Sequence, residues 1–292
     1  MAGPNESSAP SAFDAAAAAM PPPLRALLYD LVSPRTVDGD ALAAALPFLP
    51  TSMPLGASDD LLHVPQLIDA ASCARLREAV DTRREQTWDS VDGAADHQLN
   101  LSEAELEEAI GTAQLQAIHA TARGLVERRR RQQQPAMASP SSSAASAPDL
   151  PLTEAFVRRY AADERPWHPF HQARAKQPAD RSSPHRSPRP THSAAAQDRA
   201  AVTVNVALSS DADVVGGRLL CLFAAPEGAR AAQERCEGDA TVHLSRIVHG
   251  VSRVASGVRY SLIVFFGDEP AVRRQLHVGD DGVERWTRVV VE

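Results

Sequence analysis

The chain has 292 residues, 43% of them hydrophobic and 23% charged, with a net charge of −7. These values suit a globular protein of one or two domains and exclude a wholly disordered chain. No run approaches the roughly 18 consecutive apolar residues of a membrane span, and the acidic balance argues against a general nucleic-acid-binding field.

Residues 1–23 are rich in Ala, Ser and Pro and end in Pro21-Pro22-Pro23, a composition that does not bury a core. Residues 1–60 together read as a variable N-terminal region, partly disordered. Met1 to Pro10 has neither a basic n-region nor an apolar h-region, which argues against a secretory signal. Asp69 is placed to cap a helix that carries Cys73, Leu76 and Val80 on one face. Ser102 followed by Glu105 forms a capping box. It opens a helix with Leu106, Ile110, Leu115, Ile118, Leu125 and Val126 at helical spacing. That helix runs into Arg128-Arg129-Arg130-Arg131, read as solvated cations at the negative pole of the helix dipole rather than as a nucleic-acid patch.

Residues 132–149 read as a flexible linker. Strands are expected from there on: Phe156–Tyr160, Ala200–Leu208, Arg218–Phe223 after the Gly216-Gly217 turn, Asp239–Leu244 and Val258–Phe266. Gly279-Asp280-Asp281-Gly282 separates Gln275–Val278 from Trp286–Val291, a terminal hairpin. Helices first and strands after make the fold α+β, with the strands in a sandwich or barrel. Residues 173–197 interrupt the strand half. They contain no Leu, Ile, Val, Phe, Tyr or Trp and carry five basic residues against one acid, Asp180. Of the 30 basic residues in the chain only Lys176 is a lysine, which with the abundant alanine reflects base composition more than chemistry. Cys73, Cys221 and Cys236 are odd in number and form no C-x-x-C pair, so they read as reduced thiols of a cytoplasmic protein.

The candidate chemistry lies among the strands. His171 follows Trp167-His168-Pro169-Phe170. His249 comes in Val248-His249-Gly250-Val251, with His243 six residues before it, and Arg259-Tyr260-Ser261 follows. A histidine beside aromatics is commonly a hydrogen-bonded structural group, and a buried arginine is commonly paired with an acid. Here the order and the surrounding blocks carry more. FVRRY (156–160), DERPWHPFHQ (163–172), DRAAVTVNVALS (198–209), GGRLL (216–220) and the stretch from Gly238 to Phe266 resemble, in the same order, the Fe(II)/2-oxoglutarate dioxygenase superfamily, most closely its prolyl 4-hydroxylase-like branch. VPQLIDAASCARLREAV (64–80) is similar to that family's leading helix, and the resemblance spans about 64–266.

The resemblance implies a double-stranded β-helix, a jelly-roll or cupin-like barrel with N-terminal supporting helices. The dioxygenase domain would be 61–269, with helical support over 64–131, a linker at 132–149, the barrel over 152–269 and a hairpin at 270–292. It implies Fe(II) held by His171, Asp198 and His249, two imidazoles and one carboxylate that leave positions open for 2-oxoglutarate and dioxygen. His243 is the weaker candidate for the distal ligand and is expected to line the barrel or the opposite strand face. Arg259 would take the C5 carboxylate of 2-oxoglutarate as a planar fork, with Ser261, Tyr160 and Asn205 lining the same pocket. The implied reaction is hydroxylation of a C–H bond, with peptidyl proline as the family-level substrate, release of succinate and CO₂, and L-ascorbate as a family cofactor. A protein, peptide or small molecule is the expected partner, with no membrane and no nucleic acid. Trp88, Trp167 and His168 fit a substrate entrance and fit packing equally well.

One departure matters. The family motif is His-x-Asp, yet Ala173 stands two residues after His171. Removing 173–197 restores Phe-His-Gln-Asp-Arg, so Asp198 is the matching carboxylate, displaced by 25 residues. A retained intron, a genuine loop that leaves His171 and Asp198 side by side, and a site without the carboxylate are all consistent with the sequence. Closing a loop of that length costs about 3 kcal/mol, which a folded core tolerates. The alternative function is a catalytically inactive binding protein on the same fold.

Overall fold

A computed structural model of the chain describes residues 12–30, 44–49, 56–89, 91, 94–133, 150–172, 201–223, 229–231, 234–267, 272–278 and 284–290. The helices are α1 (Ala12–Ala18), α2 (Pro22–Arg25), α3 (Ala70–Arg83), α4 (Glu103–Ile110) and α5 (Thr112–Gln133). Asp69 caps α3 by accepting the Ser72 amide at 2.7 Å, and that bond holds its carboxyl below the usual range. Ser102 and Glu105 close the expected box: the Ser102 amide donates to Glu105 at 2.8 Å and the Glu105 amide to the Ser102 hydroxyl at 3.2 Å.

The single helix expected from Ser102 onward is two. Gly111, at φ +84°, ends α4 in a conformation that a side chain rarely adopts, and α5 starts a new axis. The arginine run that ends α5 is not simply solvated. Arg128 donates to the carbonyls of Asp59 and Leu61 at 2.6 and 3.2 Å, and Arg129 lies 3.7 Å from the buried Asp60 carboxylate.

A seven-stranded antiparallel sheet is the backbone of the fold. Its strands are β1 (Leu61–Val64), β2 (Glu85–Trp88), β3 (Ala95–Leu101), β4 (Leu152–Ala161), β6 (Val202–Ala207), β10 (Ala240–Leu244) and β13 (Val258–Phe266), in the order β1-β10-β6-β13-β4-β3-β2. The first half of the chain thus supplies three strands that the helical pattern concealed. Side chains alternate between the two faces of this sheet. Val202, Val204, Val206, Leu262, Val264 and Phe266 pack against Leu76, Leu106, Ile118 and Leu125 of the helices. Each such buried side chain contributes about 1.5–3 kcal/mol. The same alternation turns Phe156, Arg158 and Tyr160 of β4, Thr203 and Asn205 of β6, His243 of β10, and Arg259, Ser261 and Ile263 of β13 to the other face.

That second face meets a smaller sheet. Its strands are β5 (His168–His171), β8 (Leu219–Leu222), β9 (Ala229–Ala231) and β11 (Val248–Val251), in the order β5-β11-β8-β9. Tyr160 of the large sheet packs with Leu219, Cys221 and Val251 of the small one. β7 (Val215–Gly216) pairs with β12 (Val254–Ser256). Outside the small sheet, Leu27, Leu28, Ala45 and Leu49 pack on Phe170, Leu220, Leu222 and Val248. Ala17 of α1 is also buried. Of the segment 1–23, read as unable to bury a core, Met20 packs against this cluster. β14 (Val272–Val278) and β15 (Glu284–Val290) form the expected terminal hairpin, with Val272 opposite Val290. Its turn, the linker 134–149 and the insertion 173–197 lie outside the described residues. No described helix is long and apolar enough to cross a membrane.

Candidate active site

His171 and His249 stand opposite each other where β5 pairs with β11, and their ring centroids are 4.1 Å apart. Both rings are fixed by main-chain carbonyls: His171 Nδ1 to Pro169 O at 3.0 Å and His249 Nδ1 to Ile247 O at 3.1 Å. A carbonyl only accepts, so each Nδ1 carries the hydrogen, and in a neutral ring so held the lone pair falls on Nε2. That is the tautomer a metal-binding imidazole needs, set by its outer hydrogen bond. Burial, with the His171 and His243 rings beside it, pushes His249 well below its ordinary pKa and keeps it neutral.

Two more imidazoles extend the row. His243 comes from the large sheet, and its ring centroid is 4.4 Å from that of His249. His168 lies 4.6 Å from His171, with Nε2 3.0 Å from Asp89. Asp89 also takes Arg158 at 3.0 Å and lies 3.8 Å from Arg165. Burial would raise the Asp89 carboxyl, but His168, Arg158 and Arg165 outweigh it and hold the group well below the usual range. Arg158 is bound on its other side by Asp96 at 2.7 Å.

A small pocket opens beside this row, lined among others by His171, His249, Tyr160, Asn205, Thr203 and Ile263. Arg259 and Ser261 lie behind it, on the face of β13 that also carries Ile263. Arg259 is 2% exposed, and none of its three guanidinium nitrogens has a hydrogen-bond partner among the described residues. The Ser261 hydroxyl is equally buried and unpartnered. The guanidinium sits over the Tyr160 ring, 4.9 Å from its centroid. Burial first, and then the charge of Arg235, bring Arg259 down to about 10, so it remains a cation at neutral pH. A buried arginine paired with an acid would have been the ordinary finding; among the described residues no acid pairs with this one.

His171, His249, Tyr160, Asn205, Arg259 and Ser261 are thus gathered in one interior. Asp198 lies outside the described residues. Among the described residues no three His, Cys, Asp or Glu side chains form a group able to hold a metal ion. Trp167 packs edge-on against Phe13, centroids 6.5 Å apart, while His168 lines the cavity. The Trp88 side chain lies outside the description. The sequence reading passed over Asp89, Arg158 and Arg235. Arg158 had a signal, since it shares the parity of Tyr160 on one strand. Asp89 and Arg235 had none.

No protein-family model and no curated protein matches the chain. The solved structures it is similar to are oxygenases dependent on 2-oxoglutarate, prolyl hydroxylases among them. A collagen prolyl hydroxylase from Paramecium bursaria Chlorella virus-1, in its 2-oxoglutarate complex, is 12% identical over 71% of this chain and 95% of its own, at a TM-score of 0.41. A prolyl-4-hydroxylase from Pseudomonas putida is 15% identical over 78% and 98%, at 0.42. A prolyl hydroxylase from Trichoplax adhaerens, bound to a peptide of hypoxia inducible factor, is 11% identical over 72% and 84%, at 0.45.

Proposed function

We propose that the chain is an Fe(II)- and 2-oxoglutarate-dependent dioxygenase that hydroxylates a C–H bond of a peptidyl proline, on a double-stranded β-helix formed by the two facing sheets. The observation that carries this reading is the buried, unpartnered pair of Arg259 and Ser261 behind the imidazole-lined cavity. Burying a guanidinium without a counterion is costly, and a carboxylate delivered into the cavity removes that cost. 2-Oxoglutarate has such a carboxylate at C5 and a chelating oxo acid at its other end.

The residues present fit the iron as well. His171 and His249 offer two imidazoles on adjacent strands, and Asp198 is the proposed third donor. Iron bound there would supply the dioxygen activation that couples loss of CO₂ to hydroxylation. The chain's own work is positional. Arg259 and Ser261 bind and orient the C5 carboxylate, Tyr160 seals the guanidinium from water, and Asn205 lines the pocket. The carbonyls of Pro169 and Ile247 hold both rings in one tautomer. L-Ascorbate and a cytoplasmic location belong to the same reading. All three cysteines are free, as the latter requires.

A second reading has its own observation in favour: the 25 residues between His171 and Asp198, and the lack of a third donor among the described residues. It makes the chain an inactive binding protein of the same fold. Iron titration of the full chain and of a chain lacking 173–197, with succinate release from 2-oxoglutarate measured on both, separates the two. The dioxygenase reading expects stoichiometric Fe(II) binding and iron-dependent succinate release, at least as fast without the insertion. Absence of iron binding in both chains refutes it, and loss of binding on deletion removes Asp198 as a ligand.

A further inference from the structure

Arg235, just ahead of β10, is 1% exposed and stands in the same interior as Arg259. Its amide donates to Asp211 Oδ2 at 3.0 Å, and its Nε lies 3.7 Å from the same carboxylate. Its Nη1 donates to Asn205 Oδ1 at 3.0 Å, while Nη2 is buried with no partner. Asn205 lines the cavity, so with its oxygen taken by Arg235 its amide nitrogen is the end left for a ligand. Asp211 does not serve Arg235 alone, because Arg218 lies 3.5 Å from its other oxygen. Two guanidiniums, those of Arg218 and Arg235, therefore share one carboxylate, and Arg259 has no acid of its own among the described residues. After burial, the charge of Arg235 is the largest influence disfavouring the charge on Arg259.

We infer that Arg235 is a second cationic residue of the cosubstrate pocket, which orients Asn205 as an amide donor and makes the pocket select a dicarboxylate over a monocarboxylate. This rests on the cosubstrate reading of Arg259. A monocarboxylic oxo acid would leave both buried guanidiniums short of negative charge. A dicarboxylate brings the missing charge to the end of the cavity where they lie. Arg235 is a positioning residue through Asn205 and an electrostatic partner for the distal carboxylate.

The test is calorimetric titration of the full chain, without added metal and with chelator present, using glutarate and butyrate. Glutarate has the two carboxylates of 2-oxoglutarate and no oxo group, so its binding reports the pocket and not chelation. The wild type is expected to bind glutarate at least tenfold more tightly than butyrate. Arg235→Gln should weaken glutarate about tenfold and leave butyrate unchanged, in line with the loss of one charge-assisted interaction. If Arg235→Gln does not fold, Arg235→Lys decides: it keeps a charge beside Asp211 but lacks the second nitrogen, and glutarate binding should weaken severalfold at a nearly unchanged melting temperature. Unchanged glutarate affinity in a folded Arg235 variant, equal loss for both ligands, or no preference for glutarate in the wild type overturns the inference. Arg259→Met separates the two levels. If it abolishes glutarate binding while Arg235 variants do not, only the role of Arg235 fails. If it leaves glutarate binding intact, the cosubstrate reading fails with it.

Discussion

Replacing Arg259 by methionine should make the ligand-free protein more stable. The guanidinium is 2% exposed, has no partner on any nitrogen, and is brought from 12.5 to about 10 by burial and by Arg235. A displacement of that size corresponds to an unfavourable environment of about 3 kcal/mol for the charge. The sign follows from the direction. A cation whose folded pKa lies below its unfolded value destabilises the fold at every pH below 10. The penalty fades only as pH rises through the interval between the two values. Any neutral buffer therefore shows it in full.

Methionine keeps the apolar stem and removes the charge, but it also removes the stacking on Tyr160, worth about 1 kcal/mol. The net gain is about 2 kcal/mol, or roughly 4–8 °C in melting temperature for a chain of this size. Calorimetry of both proteins without ligand, and again with Fe(II) and saturating 2-oxoglutarate under argon, gives the assay. Ligand at a hundred times its dissociation constant adds about 2.7 kcal/mol to the wild type and far less to the variant, so the order of melting temperatures should invert. A folded variant that melts below the wild type without ligand refutes the reasoning, because Arg259 would then have a stabilising partner.

Three further outcomes are expected. His171→Ala or His249→Ala should each strongly weaken Fe(II) binding by the folded chain, whereas His243→Ala should leave it nearly intact; equal iron affinity in all three would sink the ligand assignment. Gly238→Ala should destabilise by about 2 kcal/mol or more in chemical denaturation, because Gly238 has φ +90° and a Cβ there would lie 2.3 Å from the Ile68 carbonyl oxygen. In the native protein one thiol, Cys236, should react with a disulfide reagent at neutral pH, while burial pushes Cys73 and Cys221 up to about 12 and shields them. Rapid reaction of three thiols without denaturant would contradict that burial.

The strands β4, β6, β8, β10 and β13, the terminal hairpin, the cap at Asp69 and the box at Ser102 were legible in the residues because each is a local signal, whereas β5 and β11, which carry His171 and His249, were not read as strands. Alternation, a carboxylate three residues from an amide, and a β-branched run act over a few positions. The six histidine, arginine, serine, tyrosine and asparagine positions gathered in the interior were legible only through the resemblance, since no spacing along the chain shows that 171 and 249 share a ladder. Gly111 broke one expected helix into two, and its positive φ is a local reason visible only once the backbone is known. β1 and β3 escaped notice because sequences such as Ala95–Leu101 carry too many polar residues to read as strands. They form because the edges of a seven-stranded sheet need pairing and their few apolar side chains find the helices. Burial of Leu27 and Leu28 depends on the small sheet presenting Phe170, Leu220 and Val248, a surface that exists only after distant strands pair. The network of Asp89, Arg158 and His168, and the two guanidiniums sharing Asp211, likewise come from tertiary structure, because buried charge is decided by what surrounds a residue and not by its neighbours in sequence.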